Sequence, residues 1–519
     1  MRRFSGRLST CTRYRRLCAF LAFGLIVSSI PAAAEDSSSA DQQRVAAIEA
    51  KLDELNEALS QTEKMLEKSR AEIQSLHSQL DSLRAQTSAP PVEATPADPQ
   101  DASAAPPRSE ELSAMHEQLD AMQAEIKQHD QTKVETFSKY PLRLSGLILF
   151  NAFSNAGVVD NTDLPTFALP RFPGASHGSS GATLQQTLLS LDATGPRIGG
   201  ARSSAEVSID FFGGVSTNSY GYSSSEGVVR MRQSWISLDW YKTTAQAGYT
   251  MPLISPLSPT SYATVAQPGL AGSGNLWTWS PQLQVEQRVP LTEKSRIGLE
   301  GGLIIPPPSG YTGTQLDSPV EASRHPGYEG RFSYRVDGSR KGIPRPFVLG
   351  AGGYGANQFY SSTTQVHSCA ATADWQIPIF KWFELSGEAY RGRALGGFGG
   401  GAYKDVFSAT DSTTGLTRTT GVATAGGWSQ LKFIPSLTLQ ANVAFGMDDA
   451  FTSNFDGFNL PPDTETQLNA KNRSFVGNLI YRPKSYFILS PEYRRIQTWP
   501  YEGSASIANI FTMTAGYQF

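Results

Sequence analysis

Hydrophobic positions follow two different periods along this chain. Between Val45 and Leu83 they recur every seven residues as Val45, Leu52, Leu59, Leu66, Ile73 and Leu80. A companion series three residues on reads Ile48, Leu55, Thr62, Ser69, Leu76 and Leu83. Ten of these twelve seam positions are apolar over six heptads, which predicts a coiled coil over residues 35–84, with Thr62 and Ser69 softening its middle. A shorter seam, Leu112, Met115, Leu119, Met122 and Ile126, predicts a second helix over 110–135. Residues 85–109 between them are rich in Ala and Pro and read as an extended linker.

From Tyr140 onward the period drops to two. Sixteen segments of roughly ten residues alternate apolar with polar positions, carry aromatics at their ends and are separated by Gly, Ser, Asn or Pro. Their connectors alternate in length. Tyr241-Lys242, Val289-Pro290-Leu291, Ile377-Pro378-Ile379, Pro435-Ser436 and Pro483-Lys484 are tight, whereas Ser154–Ala182, Pro252–Leu276, Pro306–Gly327, Gly392–Thr419 and Asp448–Arg473 are long. Short turns on one rim and long loops on the other predict a transmembrane β-barrel over 136–519.

The polarity of the two strand faces decides between lipid and water as the outer solvent. One predicted strand sets Ile297, Leu299, Leu303 and Ile305 against Arg296 and Glu300, and another sets Leu437, Leu439, Ala441, Val443 and Phe445 against Thr438, Gln440 and Asn442. A soluble sandwich or propeller would alternate too, but with a polar outside. Here the interior is the polar face, so lipid fits better. The expected fold is therefore an all-β transmembrane barrel of sixteen antiparallel strands preceded by an α-helical coiled coil.

Composition and charge supply the compartment. Only 39% of the 519 residues are hydrophobic, with 47 Gly and 19 Tyr, which is lean for a large dry core. Arg2, Arg3, Arg7, Arg13, Arg15 and Arg16 precede a short apolar run, Leu17–Ile30, and Ala32-Ala33-Ala34 has the form of a signal-peptidase site, so residues 1–34 are expected to be a cleaved signal peptide. By count, residues 35–135 hold 21 acidic and 9 basic side chains, while 136–519 hold 26 and 29. No basic excess marks a nucleic-acid partner. The segment Ile510–Phe519, IFTMTAGYQF, sets Phe511, Met513, Ala515, Tyr517 and Phe519 on one face. In a closed barrel this strand pairs with the first and turns those side chains to lipid.

The ending resembles the C-terminal signal of bacterial outer-membrane proteins, which implies that the barrel-assembly machinery reads Tyr517 and Phe519. The whole layout (signal peptide, heptad helix, linker, and sixteen strands opening on YPLRLSGLILFNAF and ending in Tyr-x-Phe) resembles the DcaP-like trimeric outer-membrane porins and, more loosely, phosphate-selective porins. That resemblance implies a homotrimer in the outer membrane of a Gram-negative-type bacterium, its coiled coil in the periplasm. It also implies one passive pore per subunit with a preference for small anionic solutes such as dicarboxylates. The linker between the two heptad segments departs from the layout. Two other readings fit the pattern: a structural tether whose coiled coil joins the outer membrane to peptidoglycan, and a carbohydrate porin with Trp235, Trp240, Trp277 and Trp279 as a stacking track.

The third long loop, Pro252–Leu276, lies in a run from Thr243 to Val285 without a charged residue. In sixteen-strand porins this loop folds inward, so one wall of a constriction would be neutral. Alternation turns Arg296, Glu300, Arg331, Arg335, Glu492 and Arg494 to the lumen, and Arg230 and Arg232 share a face, although Trp235-Ile236 blurs that strand's phase. Rings of arginine favour anions. Equally, these arginines could pair with Glu206, Asp210, Glu286 and Glu300 and do no more than solvate the lumen.

Enzyme and cofactor signals are weak, and no catalytic, cofactor or metal residue is expected. Gly174-Ala175-Ser176-His177-Gly178 matches G-x-S-x-G but lacks the strand and helix of a nucleophile elbow. Gly350–Gly355 fits a dinucleotide pattern with no helix after it and reads as a glycine-rich strand. The six histidines are scattered. Asp448, Asp449 and Asp456 read as a solvated acidic loop rather than a calcium site.

Overall fold

A computed structural model of the chain describes residues 141–217, 223–307, 318–340, 342–361, 364–410, 415–455, 458 and 468–519. The signal peptide, both heptad seams and the linker lie outside the described residues. Among the described residues no helix is long and apolar enough to cross a membrane.

Sixteen antiparallel strands form one closed sheet. They are β1 (Leu142–Ala156), β2 (Gly178–Thr183 continued by Leu188–Ile198), β3 (Ala201–Asp210), β4 (Arg230–Asp239), β5 (Thr243–Thr250), β6 (Ser280–Pro290), β7 (Ser295–Ile304) and β8 (Gly327–Val336). The second half of the ring is β9 (Phe347–Ser361), β10 (Thr364–Ile379), β11 (Phe383–Arg393), β12 (Ala423–Phe433), β13 (Leu439–Ala450), β14 (Asn469–Lys484), β15 (Phe487–Pro500) and β16 (Ser506–Gln518). Each pairs with its neighbour, and β1 closes on β16 from Leu147↔Gln518 to Ala156↔Asn509. Closure removes the unpaired edge that an open sheet would present to lipid.

The burial pattern is inverted relative to a soluble protein. Outward side chains such as Val443, Phe445, Phe511 and Met513 are about half exposed, whereas the inward Asn442, Asn472, Asn478 and Thr514 are buried. Polar pairs such as Asn442 Nδ2 to Asn478 Oδ1, 2.7 Å, satisfy the inner face.

Three details depart from the sequence-based expectation. The second strand is broken at Leu184–Thr187; both pieces pair with β1, and Thr187 Oγ1 accepts the Leu149 N–H at 3.2 Å across the gap. The turn expected at Ile377-Pro378-Ile379 lies three residues later, at Phe380–Trp382, because Pro378 and Ile379 stay in the ladder opposite Glu384 and Phe383. In β4 the register shifts so that Ser208 faces Gln233 but Ile209 faces Met231. This bulge accounts for the blurred phase: Arg230 and Arg232 share the inward face with Trp235, while Met231 and Ile236 are exposed outward.

Candidate functional site

The connection between β5 and β6, Met251–Trp279, crosses the interior of the ring. Its anchors come from strands on all sides. On β8, Glu329 Oε2 accepts from Leu253 N at 2.9 Å. On β11, Glu388 accepts from Ser255 Oγ at 2.5 Å and Leu257 N at 2.7 Å. Gln430 on β12 accepts from Thr260 N at 3.1 Å. On β14 and β15, Asn478 Nδ2 donates to Thr260 O at 2.9 Å and Glu492 accepts from Ser261 Oγ at 2.5 Å. Gln186, turned inward by the break in β2, donates to Ala263 O at 2.9 Å and accepts from Val265 N at 2.7 Å. A segment tied to opposite walls of a closed ring must span its lumen.

Close approach to the wall sets a size limit. Gly446 on β13 faces the segment, and a Cβ there would lie 2.2 Å from Ser273 O. Within the segment, Gly274 has φ +99° and a Cβ would lie 2.2 Å from Gly427 O.

The glycine-rich connection after β11 folds in beside this segment, which the sequence reading missed. Trp277 N donates to Phe398 O at 3.0 Å, Trp277 Nε1 to Tyr403 OH at 2.8 Å, and Phe398 meets Tyr354 edge-on at 4.8 Å. Gly399, Gly401, Ala402 and Tyr403 all have left-handed φ. Asp448 anchors the connection: it accepts from Gly401 N, Ala402 N, Thr424 Oγ1 and Tyr390 OH at 3.1, 2.6, 2.8 and 2.5 Å. The solvated acidic loop expected at 448–449 is thus corrected. Asp448 is a buried strand residue and Asp449 pairs with Lys471 at 2.8 Å, while Asp456 lies outside the described residues. Among the described residues no cluster of acidic, histidine or cysteine side chains could hold a metal ion. Lys404, in the same connection, donates to Asn469 O at 2.9 Å; burial pushes its ammonium down to about 8.

The eight charged residues singled out by alternation fall into two groups. Arg230, Arg232 and Glu492 contact the crossing segment, and Arg494 shares the inward face of β15 with Glu492. Arg230 is bidentate to Asp210 at 3.0 and 2.6 Å and donates to Ala266 O at 2.6 Å. Arg232 donates to Val265 O and stacks 4.7 Å over Trp279, while Arg494 is buried two positions beyond Glu492. On β7 and β8, Arg331 bonds Glu300 at 2.5 Å and Asp374 at 2.9 and 2.7 Å, and Arg296 and Arg335 share Asp337 at 2.5 and 2.7 Å. Two of the pairings foreseen for a merely solvated lumen, Arg230–Asp210 and Arg331–Glu300, are present. Glu286 instead meets Arg288 at 3.6 Å.

Asp374, Glu329, Glu388 and Gln186 were not foreseen. Gly350 opens the space for Asp374, since a Cβ there would lie 2.2 Å from its carboxylate; the glycine run in β9 makes room for lumen chemistry. The four tryptophans do not form one track. Trp277 and Trp279 are buried together at 5.1 Å, Trp235 lies in the β4 wall, and Trp240 Nε1 donates to Gly199 O at a tight-turn rim. Ser176 Oγ donates to Gly178 O at 2.6 Å, and His177 meets Arg171 instead.

At the closing seam, Tyr517 stands 5.6 Å from Tyr486 between rings, and both Tyr517 and Phe519 are about half exposed.

No protein-family model matches this chain, and no curated protein matches it. Among solved structures, the outer-membrane channel DcaP of Acinetobacter baumannii is similar with a TM-score of 0.56 at 16% identity, over 75% of this chain and 100% of that one. OprB of Pseudomonas putida has a TM-score of 0.44 at 10% identity, over 73% of this chain and 94% of its own. OmpF of Salmonella typhi has 0.44 at 11%, over 73% and 98%. The described residues share the fold of an outer-membrane channel.

Proposed function

We propose that this protein is a passive outer-membrane porin for small hydrophilic solutes, with a bias toward anions such as dicarboxylates. The observation that carries the reading is the uncharged segment Met251–Trp279 hung across a closed, apolar-outside barrel by polar side chains of its wall. The fold shared with DcaP, described as an outer-membrane channel, supports it.

Charge around the segment is divided unevenly. Glu329, Glu388 and Glu492 are buried and each accepts from an N–H or O–H group of the segment, so they contribute little to the water path. Arg232 and Arg482, which hold the segment through Val265 O and Tyr262 OH, stay partly exposed at its margin. Fixed cations beside a narrow low-dielectric passage raise the local concentration of anions. In this reading Arg230, Arg232, Arg296 and Arg335 border the passage, while Glu300, Arg331, Glu492 and Arg494 are enclosed in its wall, and diffusion needs no bound cofactor. Three subunits joined by the heptad helix in the periplasm, and insertion directed by Tyr517 and Phe519 through the barrel-assembly machinery, complete it.

Planar-bilayer recording of the purified full chain tests the proposal. Stepwise conductance with a reversal potential favouring anions is expected in a salt gradient. A correctly inserted barrel without conductance overturns the porin reading, and cation preference overturns the anion bias.

A further inference from the structure

The outer wall carries a second charged feature, unconnected with the lumen. On β14 the outward positions nearest the long-loop rim are Lys471 and Arg473, and on β15 they are Trp499, Gln497 and Arg495. Their register joins them into levels. Asp449, Lys471 and Trp499 are cross-strand neighbours, then Met447, Arg473 and Gln497, then Phe445, Phe475 and Arg495. Arg391 of β11 extends the first level, since it faces Ala425, which in turn faces Asp449. Below these levels the outward side chains become Val443, Leu479, Phe511 and Met513.

Four cations and one carboxylate therefore share an outer surface whose next levels are apolar. At the same rim on the other side of the ring the outward residues are Ile209, Met231, Leu303 and Tyr328. Aromatic rings hold the cations at the boundary: Arg473 lies 5.0 Å over Trp499 and Arg391 lies 5.4 Å over Phe451. Lys471 alone meets Asp449, at 2.8 Å; Arg495 is exposed and has no hydrogen-bond or ion-pair partner among the described residues. Outward arginine is costly against acyl chains and tolerated at the headgroup level. A cluster of them there calls for an anion of the headgroup layer.

We infer that this face, on β11 and β13–β15, binds the phosphate groups of a phosphorylated glycolipid in the outer leaflet. The inference rests on the outer-membrane reading given above. Arginine forks and an ammonium match phosphate oxygens, and the neighbouring Val443, Phe445 and Phe475 match acyl chains.

The test is native mass spectrometry of the full-length protein in mild detergent with added diphosphorylated lipid A. Its dephosphorylated form and inorganic phosphate serve as comparison probes, and conductance and heat-modifiability are recorded on the same samples. The wild type is expected to retain the diphosphorylated lipid. The variant Arg391→Gln/Lys471→Gln/Arg473→Gln/Arg495→Gln should weaken retention by about five-fold per charge removed. Channel activity and barrel folding should be unchanged, so loss of conductance in the wild type would strike the porin reading and not this one. Equal retention by the variant, or of the dephosphorylated lipid, overturns the inference. Displacement by millimolar inorganic phosphate with no dependence on acyl chains would assign the face to a soluble anion. Dissociation of the oligomer without lipid loss would assign it to subunit contact. If the variant does not insert, the wild-type preference between the two lipids decides.

Discussion

Gly146 and Phe519 exchange both backbone hydrogen bonds, Gly146 N to Phe519 O at 3.0 Å and Phe519 N to Gly146 O at 3.1 Å, and the Phe519 ring lies over the missing glycine side chain. A Cβ on Gly146 would come within 2.6 Å of Phe519 Cζ. The seam of the barrel thus ends on an aromatic seated in a glycine notch.

This seat predicts that Gly146→Val and deletion of Phe519 act alike. Each should lower the yield of heat-modifiable barrel from newly made protein, while barrel already inserted loses a few kcal/mol at most, the scale of one aromatic's burial. Pulse labelling followed by cold-detergent electrophoresis measures the first quantity, and denaturant titration the second. Unchanged assembly in both variants would reduce the ending to lipid packing.

A second prediction concerns the tether at Glu388, which accepts from Ser255 Oγ, Leu257 N and, at 3.4 Å, Trp428 Nε1. Glu388→Ala leaves Leu257 N and Trp428 Nε1 unpaired, at about 1–3 kcal/mol for each buried group, while Ser255 Oγ keeps Leu276 O as its acceptor. The crossing segment should loosen, giving larger and noisier single-channel steps and faster uptake of bulkier solutes in liposome swelling. A conductance identical to wild type would mean that the segment does not limit the passage.

Much of this architecture is legible in the sequence, and what is not has physical causes. Period-two alternation at Val443 and Phe445 against Asn442 survives because lipid and lumen impose opposite demands on successive residues. Tight turns at Tyr241-Lys242 and Pro435-Ser436 stand where expected. The inward fold of Gly396–Tyr403 was missed because its determinant, Asp448, is distant in sequence. Asp374 and Glu388 looked like ordinary inward polar positions, and only the folded ring brings Arg331 and Ser255 to them. A single-residue bulge at β4 hid the phase of Arg230 and Arg232, since one extra residue inverts alternation downstream.

The Lys404 ammonium gives a pH dependence. Burial lowers its pKa to about 8 from an ordinary 10.5, so the docked connection holds its proton less tightly than the undocked one. Below about 8 both states are protonated and the burial cost is fully present. As pH rises from about 8 toward 10.5 the docked state sheds its proton first, and docking becomes firmer. Protection of residues 394–405 from added protease should therefore increase between pH 7 and about 10. Lys404→Met should abolish that rise, whereas a rise persisting in Lys404→Met would transfer the effect to another group.

The last prediction separates charge that tunes transport from charge that holds the wall. Arg331 is almost fully enclosed between Glu300 and Asp374, so Arg331→Gln leaves two carboxylates without their cation. Removing one partner of a buried pair costs about 3–5 kcal/mol, and a lower denaturation midpoint should accompany any change in selectivity. Arg232 differs. Its guanidinium meets a backbone carbonyl and the Trp279 ring, with no carboxylate in hydrogen-bond contact. Arg232→Gln strands no carboxylate, so any stability loss should be far smaller than in Arg331→Gln while the fixed positive potential falls. The reversal potential in a salt gradient should then shift toward cations, most clearly at low ionic strength where screening is weak. An unaltered reversal potential in Arg232→Gln, with insertion verified, would place this arginine outside the ion path and remove its part in the proposed selectivity.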